Sequence, residues 1–372
     1  MNTTSSTAKK RHKTTRMVTA AVLTAGLLLP GTAAIGVEGA HAAAAAASQT
    51  SAVKSVKVTW NGKAVGASAL QIGGNTYVPV KALAKASGLS LRYDKSTTQY
   101  TLGTSPNPLH LSSYENKVWI GAGGVSLESE GRVIGGSMYI PFSALRDYGG
   151  IDGSWSAKTG TLALKPTASK GVKITAKTIK SKEGTTDISI RYPQVSGSEA
   201  GIAAINKKLK SHADNALAEF KQQIKKQDPS IGNGNYEAQS DYTVAYNKDG
   251  VLSLVLQDYV YYGGAHGGTF QTGYTFSLNS GKEIELDTLL KANPNYRGEI
   301  DKQIAKEFAK EETGVFDTFK TIGSDPDFYV KNGGIVIFFQ QYEYTAYAAG
   351  IPAFDFTFAS LLPKGANPFS GL

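Results

Sequence analysis

An internal duplication constrains the first half of this chain more than any other feature. The segment Ile72–Leu83, IGGNTYVPVKAL, aligns without a gap with Ile134–Leu145, IGGSMYIPFSAL, at an offset of 62 residues. The same offset carries Gly88 onto Gly150 and holds as far as Leu164. A constant register over this length indicates two copies of one structural unit. Because one copy is too small to bury its apolar face alone, we expect the pair to pack as one domain.

Each copy predicts a small β-rich unit. A Gly-Gly turn joins two strands, the second strand ends at Pro79 or Pro141, a short helix follows, and a hairpin closes the copy. Proline is tolerated at the end of a strand and in the first turn of a helix, because its missing N–H is not needed there. Gly88 and Gly150 follow the predicted helices at positions typical of C-caps.

The repeated pattern Gly-Gly-x-x-Tyr-[Val/Ile]-Pro-[Val/Phe]-x-x-Leu, followed by an aromatic residue, resembles the copper amine oxidase N-terminal-like module. The resemblance spans Val53–Lys165. It implies a stalk domain or wall-facing appendage of the kind that secreted Gram-positive proteins carry. The oxidases themselves need three histidines on copper and a quinone made from the tyrosine of Asn-Tyr-Asp/Glu.

Copper chemistry is not expected here, although Asn235-Tyr236-Glu237 matches that tripeptide. Imidazole is the expected copper ligand. The three histidines that remain after the N-terminal segment, His110, His212 and His266, lie in three separate parts of the sequence. We therefore predict no metal and no cofactor.

Residues 1–42 read as a secretory signal peptide. Five basic residues between Lys9 and Arg16 precede the apolar run Met17–Leu29, and Ala40-His41-Ala42 has the small-x-small form of a cleavage site. Cleavage would remove five Lys/Arg and one Glu, which lowers the formal charge from +9 to +5. Mild basicity suits anionic wall polymers, although scattered charges are more typical of a solvated surface. The chain has no cysteine, so disulfides and thiolate chemistry are excluded.

The second half predicts strands packed on helices. Ser196 and Glu199 have capping-box spacing, and apolar residues at steps of three or four follow as far as Ile224, so a long helix is expected to end at Gln227. Its opposite face is rich in lysine, which indicates a solvated face or an anionic-polymer site. Strands are predicted at 172–179, 187–192, 236–246, 251–262, 269–278, 283–286, 328–330 and 335–342, with alternating phenylalanines at 354–358 and a second helix near 295–311.

Two tyrosine-rich stretches carry the candidate ligand-binding residues. In the first, a strand ends at four glycines that enclose His266, and glycine allows close approach to a partner. Tyrosine offers a stiff contact area with one hydroxyl, which suits sugars and protein interfaces, but strand tyrosines also line cores. His266 is expected either to contact a ligand or to satisfy backbone carbonyls of its own loop. Its use as a general base is a weaker alternative, because a nucleophile or metal is missing nearby in sequence and the only local carboxylate, Asp258, lies at the far end of a strand. The candidates are Tyr259, Tyr261, Tyr262, Gly263, Gly264, His266, Tyr342, Glu343, Tyr344 and Tyr347.

The second half resembles the extracellular modules of two kinds of bacillar protein. The shared motifs are Tyr-x-Tyr-Tyr-Gly-Gly-Ala-His-Gly at 259–267, the segment from Tyr274 to Leu286, and the segment from Gly334 to Pro352. One relative is the anti-sigma factor that senses lysozyme, and the other is the non-catalytic region ahead of some peptidoglycan deacetylase domains. The resemblance implies binding of wall glycan or of a lysozyme-like protein.

Together these observations predict an α+β protein. A duplicated small β-rich stalk-like domain is followed by an antiparallel sheet domain packed on one long and one shorter helix. The boundaries are 1–42 for the signal peptide, 43–52 for an Ala-rich spacer, 53–165 for the duplicated domain, 166–171 for a linker and 172–365 for the binding module. We expect a secreted, extracellular or wall-associated binding protein that is not an enzyme and does not bind nucleic acid. The alternative is a peptidoglycan hydrolase or deacetylase that uses His266.

Overall fold

The computed structural model describes residues 53–104, 106–168, 171–227, 236–310, 315 and 318–372. The predicted signal peptide and Ala-rich spacer lie outside these residues. The first half forms one twelve-stranded sheet and two short helices. Its elements are β1 (Lys54–Trp60), β2 (Lys63–Ala64), β3 (Ala69–Ile72), β4 (Asn75–Pro79), α1 (Val80–Ser87), β5 (Leu91–Asp94), β6 (Gln99–Leu102), β7 (Leu109–Tyr114), β8 (Lys117–Ala122), β9 (Val125–Ile134), β10 (Ser137–Pro141), α2 (Phe142–Asp147), β11 (Ile151–Ser156) and β12 (Thr161–Pro166).

The two copies of the repeat are joined through this sheet. Strands β4 and β10, which are equivalent in the two copies, pair antiparallel at its centre. The last strand, β12, pairs in parallel with β1, so the end of the second copy closes on the start of the first. One hydrophobic core contains buried residues of both copies, among them Leu83 and Leu145 at equivalent positions.

The predicted helix boundaries hold with one difference. Pro79 and Pro141 precede α1 and α2, and Gly88 is the C-cap of α1 in the left-handed conformation at φ +74°. In the second copy the C-cap is Tyr148, and Gly150 adopts φ +66° two residues later. The helix of the second copy is therefore shorter, and its glycine serves the loop that leads into β11.

The second half contains a five-stranded sheet, a three-stranded sheet, four α-helices and a 3-10 helix at Tyr347–Ala349 in the described residues. Its elements are β13 (Lys173–Glu183), β14 (Thr186–Ser196), α3 (Ile202–Lys226), β15 (Glu237–Lys248), β16 (Val251–Tyr261), β17 (Gly268–Ser277), α4 (Leu286–Leu289), α5 (Tyr296–Phe308), β18 (Phe328–Lys331), β19 (Gly334–Phe338), β20 (Ala353–Thr357) and α6 (Phe358–Leu361).

The predicted α+β class is correct, and each main helix has its own sheet. The five strands run in the order β13-β14-β15-β16-β17, and α3 buries Ile205 and Leu209 in a core shared with Leu254 and Phe276. Helix α5 instead buries its apolar face in the core of the three-stranded sheet β18-β19-β20. The five-stranded sheet also contains one parallel pair, β14 with β15, because α3 forms the crossover between them.

Three local predictions in this half are wrong. Helix α3 starts after Gly201 without a side-chain cap, so the Ser196–Glu199 capping box does not form. Gly201 instead packs directly against Gly281, where a Cβ atom would lie 2.2 Å from the Gly281 nitrogen. The expected strand at 283–286 is an isolated bridge at Glu283 followed by α4. Strand β19 ends at Phe338 instead of continuing to Tyr342.

The described residues of both halves belong to one compact unit. The side-chain amide of Asn107 donates to the Val244 carbonyl at 2.5 Å and accepts from the Val244 N–H at 2.8 Å. The turn between β8 and β9 lies so close to β15 that a Cβ atom on Gly124 would be 1.9 Å from the Asp241 carboxylate. The stalk-like domain is thus packed against the second half of the chain. None of the helices in the described part of the chain is long and apolar enough to cross a membrane.

Candidate functional site

The glycine-histidine motif forms the loop between β16 and β17. Strand β16 ends at Tyr261, and residues 262–267 turn the chain back into β17. Gly263 adopts φ +78°, a conformation that favours glycine. The Tyr261 hydroxyl donates to the Gly264 carbonyl at 3.1 Å and ties the loop to the end of the strand. The loop holds His266 at the surface.

A second loop, residues 339–350, is attached to the free edge of β17. The side-chain amide of Gln340 accepts from the N–H of Gln271 at 3.0 Å and donates to its carbonyl at 2.8 Å. Gln341 accepts from the N–H of Thr269 at 2.8 Å. Two glutamines therefore supply the edge of β17 with partners in place of a further strand, and they bring this loop beside the glycine-histidine loop.

The two loops together form a surface cluster of three rings, the exposed His266 and Tyr342 and the half-buried Tyr347, which we call the aromatic patch. The imidazole stacks on Tyr347 with ring centroids 3.7 Å apart and planes at 16°. Its Nε2 atom lies 2.8 Å from the Tyr342 hydroxyl, and its Nδ1 atom lies 2.9 Å from the Gly267 carbonyl. Contacts at both ring nitrogens and on one ring face therefore fix the orientation of His266.

Tyr342 has an unusual backbone. It adopts φ +66° although it is not glycine, and 45% of its surface is exposed. The left-handed region costs an ordinary residue about 1–2 kcal/mol. The hydrogen bond to His266 compensates part of this cost. Strained backbone of this kind clusters at binding and active sites, which makes Tyr342 a candidate contact residue.

Tyr259 lies beside the patch, and Tyr262 lies beneath the loop. The ring of Tyr259 packs on Gly267, where a Cβ atom would be only 2.5 Å from it, and partial burial raises the pKa of Tyr259. Tyr262 packs edge-on against Tyr236 at 6.1 Å. Burial and the nearby Glu219 raise the pKa of Tyr262 well above its usual value. Tyr262 therefore supports the loop more than it offers a contact to a ligand.

Glu343 bonds back to its own loop, and Tyr344 packs in the core. The Glu343 carboxylate accepts from the Gln340 N–H at 2.9 Å, and partial desolvation raises its pKa although much of the residue is exposed. Tyr344 packs in the aromatic core with ring centroids 4.8 Å from Phe339 and 5.4 Å from Phe308. Its position in the sequence grouped Tyr344 with Tyr342 and Tyr347, but the irregular backbone after β19 turns its ring toward the core. Its ring is a packing element.

A buried polar network was not anticipated from the sequence. His212 of α3 faces the sheet, with Nδ1 3.1 Å from the Tyr274 hydroxyl and Nε2 3.3 Å from the Asp258 carboxylate. Ser240 donates to the other carboxylate oxygen of Asp258. His212 and Asp258 are only 8% and 4% exposed, so solvent has almost no access to this network. One sequence signal could have revealed this network. His212 follows the apolar Leu209 by three residues, a spacing that places both on the same face of a helix.

The lysine-rich face of α3 is partly neutralised. Lys210 pairs with Asp214 at 2.6 Å, and Lys208 pairs with Glu283 at 3.5 Å. Lys225 reaches Glu183 at 3.8 Å. This arrangement favours the interpretation as a solvated face. Among the described residues, no group of three or more His, Asp or Glu side chains converges as a metal site.

Three parts of the chain match known protein families. Residues 57–164 match the copper amine oxidase N-terminal domain. Residues 179–269 match the model described as deacetylase PdaC, and residues 287–359 match a family of unknown function, DUF3298. These matches confirm the stalk-like domain and the deacetylase part of the predicted resemblance. The anti-sigma factor part is not confirmed by them.

Similarity to individual proteins is weak. The peptidoglycan-N-acetylmuramic acid deacetylase PdaC of Bacillus subtilis is 21% identical over 169 residues, which make up 44% of this chain and 35% of the relative. The aligned part thus spans about a third of that relative. Solved DUF3298 proteins from Bacteroides fragilis and Pseudomonas aeruginosa are 16% and 13% identical, with TM-scores of 0.36 and 0.38. They cover 54% and 51% of this chain, and 96% and 92% of their own lengths are covered.

Proposed function

We propose that this is a secreted, non-catalytic binding protein of the cell envelope and that its ligand is a cell-wall glycan. The observation that carries the proposal is the aromatic patch, in which two loops converge to display His266, Tyr342 and Tyr347 at the surface. The match to deacetylase PdaC supports a cell-wall-related extracellular protein. The stalk-like match at residues 57–164 fits the same setting.

The chemistry of the patch favours binding over reaction. The contacts that orient His266 are a tyrosine hydroxyl and a backbone carbonyl, and neither is a carboxylate that would raise the basicity of the imidazole. Rings that are fixed on a hydrogen-bonded loop lose little entropy when a ligand docks on them. Aromatic faces with hydroxyl groups at their edges suit sugar rings, which have apolar faces and polar rims.

Sedimentation with purified peptidoglycan tests the proposal. We expect the full chain to co-sediment with the polymer and Tyr347→Ala to bind about two- to tenfold more weakly, because a ring contact is worth about 0.5–1.5 kcal/mol. Tyr114→Ala is the matched control, since Tyr114 is 68% exposed on the stalk-like domain. Clean separation of the unaltered protein from the polymer at low salt would refute the proposal.

A peptidoglycan hydrolase or deacetylase is the second candidate. The observation in its favour is the match of residues 179–269 to a model named for a deacetylase, together with an accessible imidazole in the same segment. On this hypothesis, incubation with muropeptides or N-acetylated glycan strands releases acetate or fragments, and His266→Gln abolishes the release. Absence of turnover by the unaltered protein, with glycan binding intact, would exclude it.

A further inference from the structure

A polar groove lies on the face of the five-stranded sheet that is opposite α3. Strand register places Ser189 beside Gln239, Gln239 beside Tyr259 and Tyr259 beside Thr269, so four strands contribute one continuous row of side chains. These four residues line a cavity of about 320 Å³. That volume is at the lower end of the range for small-ligand sites.

A second row runs parallel to the first. Asp241 pairs in register with Gln257, whose amide donates to the Gln271 side chain at 2.8 Å. At the other end Arg191 forms an ion pair with Asp241, and the two side chains are 26% and 33% exposed. The floor therefore offers amide donors and acceptors, hydroxyl groups and a neutralised ion pair.

Both halves of the chain contribute to the groove. Gly124 and Ser126, from the turn and strand β9 of the stalk-like domain, line it along one side. On the other side Tyr259 packs against Gly267, next to His266. The groove and the aromatic patch are thus adjacent and share the ring of Tyr259 as their boundary.

From this arrangement we infer that the groove is a saccharide subsite that takes a neutral, amide-bearing glycan strand, which continues onto the aromatic patch. The inference rests on the proposed function, because it takes the ligand to be a wall glycan. It adds the location of a second contact region and the chemical class of the strand.

The charge balance of the groove selects this class of ligand. Among the residues that line the groove only Arg191 and Asp241 are charged, and they pair, so the lining itself has little net attraction for phosphate or carboxylate groups. Lys180 pairs in register with Ser189 but is not among these residues. Glutamine side chains can pair with an N-acetyl group through one donor and one acceptor, and hydroxyl groups can serve either role. An anionic polymer would require unpaired basic residues, and its binding would depend strongly on salt.

Two variants of the full chain test the subsite. Gln239→Ala removes an exposed amide from the floor, and Gln222→Ala removes an exposed amide from α3 on the other side of the sheet as the matched control. With a soluble hexamer of N-acetylglucosamine as probe in titration calorimetry, we expect Gln239→Ala to weaken binding about three- to tenfold and Gln222→Ala to leave it unchanged. Binding should change less than about twofold between low and high salt.

Ser126→Trp supplies an independent test from the stalk-like domain. Ser126 is exposed, so a large ring there fills the groove without altering its floor, and binding should fall at least about tenfold while the melting temperature is kept. If Gln239→Ala and Ser126→Trp bind like the unaltered protein while Tyr347→Ala is impaired, the subsite is refuted and the proposed function stands. If the unaltered protein binds neither peptidoglycan nor the hexamer, both are refuted. Steep loss of binding with salt would also overturn the assignment to a neutral strand.

Discussion

Replacement of Asn107 by Ala tests how the two halves are held together. Asn107 precedes β7 in the stalk-like domain, and its amide binds both the N–H and the carbonyl of Val244 in β15. Asn206 binds Val195 in the same two-bond arrangement. Asn107 differs because its contact connects residues separated by 137 positions. The same amide also donates to the Tyr148 carbonyl at 3.5 Å within the stalk-like domain. Its removal should therefore act mainly, although not solely, on the packing between the two halves.

The expected loss in the free energy of unfolding follows from the two backbone groups of Val244 that lose their partners. Each hydrogen bond contributes about 0.5–1.5 kcal/mol net, and a buried group left without a partner costs about 1–3 kcal/mol. Val244 is only 6% exposed, but Asn107 itself is half-buried, so water can replace part of what is lost. We expect Asn107→Ala to lower the free energy of unfolding by about 2–3 kcal/mol. Asn107→Asp should also be less stable than the unaltered protein, because a carboxylate cannot donate to the Val244 carbonyl.

Urea unfolding followed by tryptophan fluorescence and circular dichroism measures the effect. Asn75→Ala is the matched control, because Asn75 is an exposed asparagine at the start of β4 in the same domain, and its replacement should change stability by less than about 0.5 kcal/mol. If Asn107→Ala were as stable as this control, the amide pairing would not hold the halves together, and the reasoning would fail. An Asn107→Asp variant as stable as the unaltered protein would refute the role of the donated hydrogen bond.

Three further predictions concern pH, the buried network and a protein partner. Hydrogen bonds from Tyr296 and Arg297 lower the pKa of Asp287, so its contribution to stability is present above its unfolded pKa of 3.8 and is lost as the pH falls through the lower folded value. Asp287→Asn should therefore reduce the fall of the melting temperature with acid pH. An unchanged dependence of the melting temperature on acid pH would refute the assignment. Asp258→Ala should lower the free energy of unfolding by about 2–5 kcal/mol, because Ser240 and His212 each lose Asp258 as a buried partner at about 1–3 kcal/mol each, and a loss below about 1 kcal/mol would contradict this. If the partner is a lysozyme-like protein, the full chain should co-migrate with lysozyme on a sizing column at micromolar concentration, whereas separate elution would exclude that partner.

Local rules in the sequence predicted the elements that depend on neighbours along the chain. An Asp-Gly pair between two predicted strands favours a tight turn, and Asp249 and Gly250 adopt φ of +56° and +75°, because both positions need the left-handed region and few residue types accept it. The repeat likewise predicted a joined core, since equivalent leucines occupy equivalent buried positions. The failures occur where a distant contact overrides the local signal. Gly201, packed on Gly281, sets the start of α3 in place of the Ser196–Glu199 box.

In the candidate site, too, some features follow from the sequence and others depend on distant contacts. Its residue types were visible in the sequence, but Tyr342 and Tyr344 belong to one short stretch and only the first faces the patch. Alternation cannot reveal this, because the chain leaves the strand at Phe338 and follows an irregular path. The rows of the polar groove were also hidden, since they depend on the register of four strands and not on spacing within any one of them.

The sequence alone determined that the first half is a duplicated β-rich domain, that the second half combines sheets with one long and one shorter helix, and that tyrosine, glycine and a few histidines are the residues available for recognition. Tertiary structure alone decided which of them meet. His266 and Tyr342 are 76 positions apart, and they are joined because glutamine side chains attach the second loop to the edge of β17. Periodicity reports the environment of each segment, whereas the pairing of segments is selected by the free energy of the whole packed arrangement.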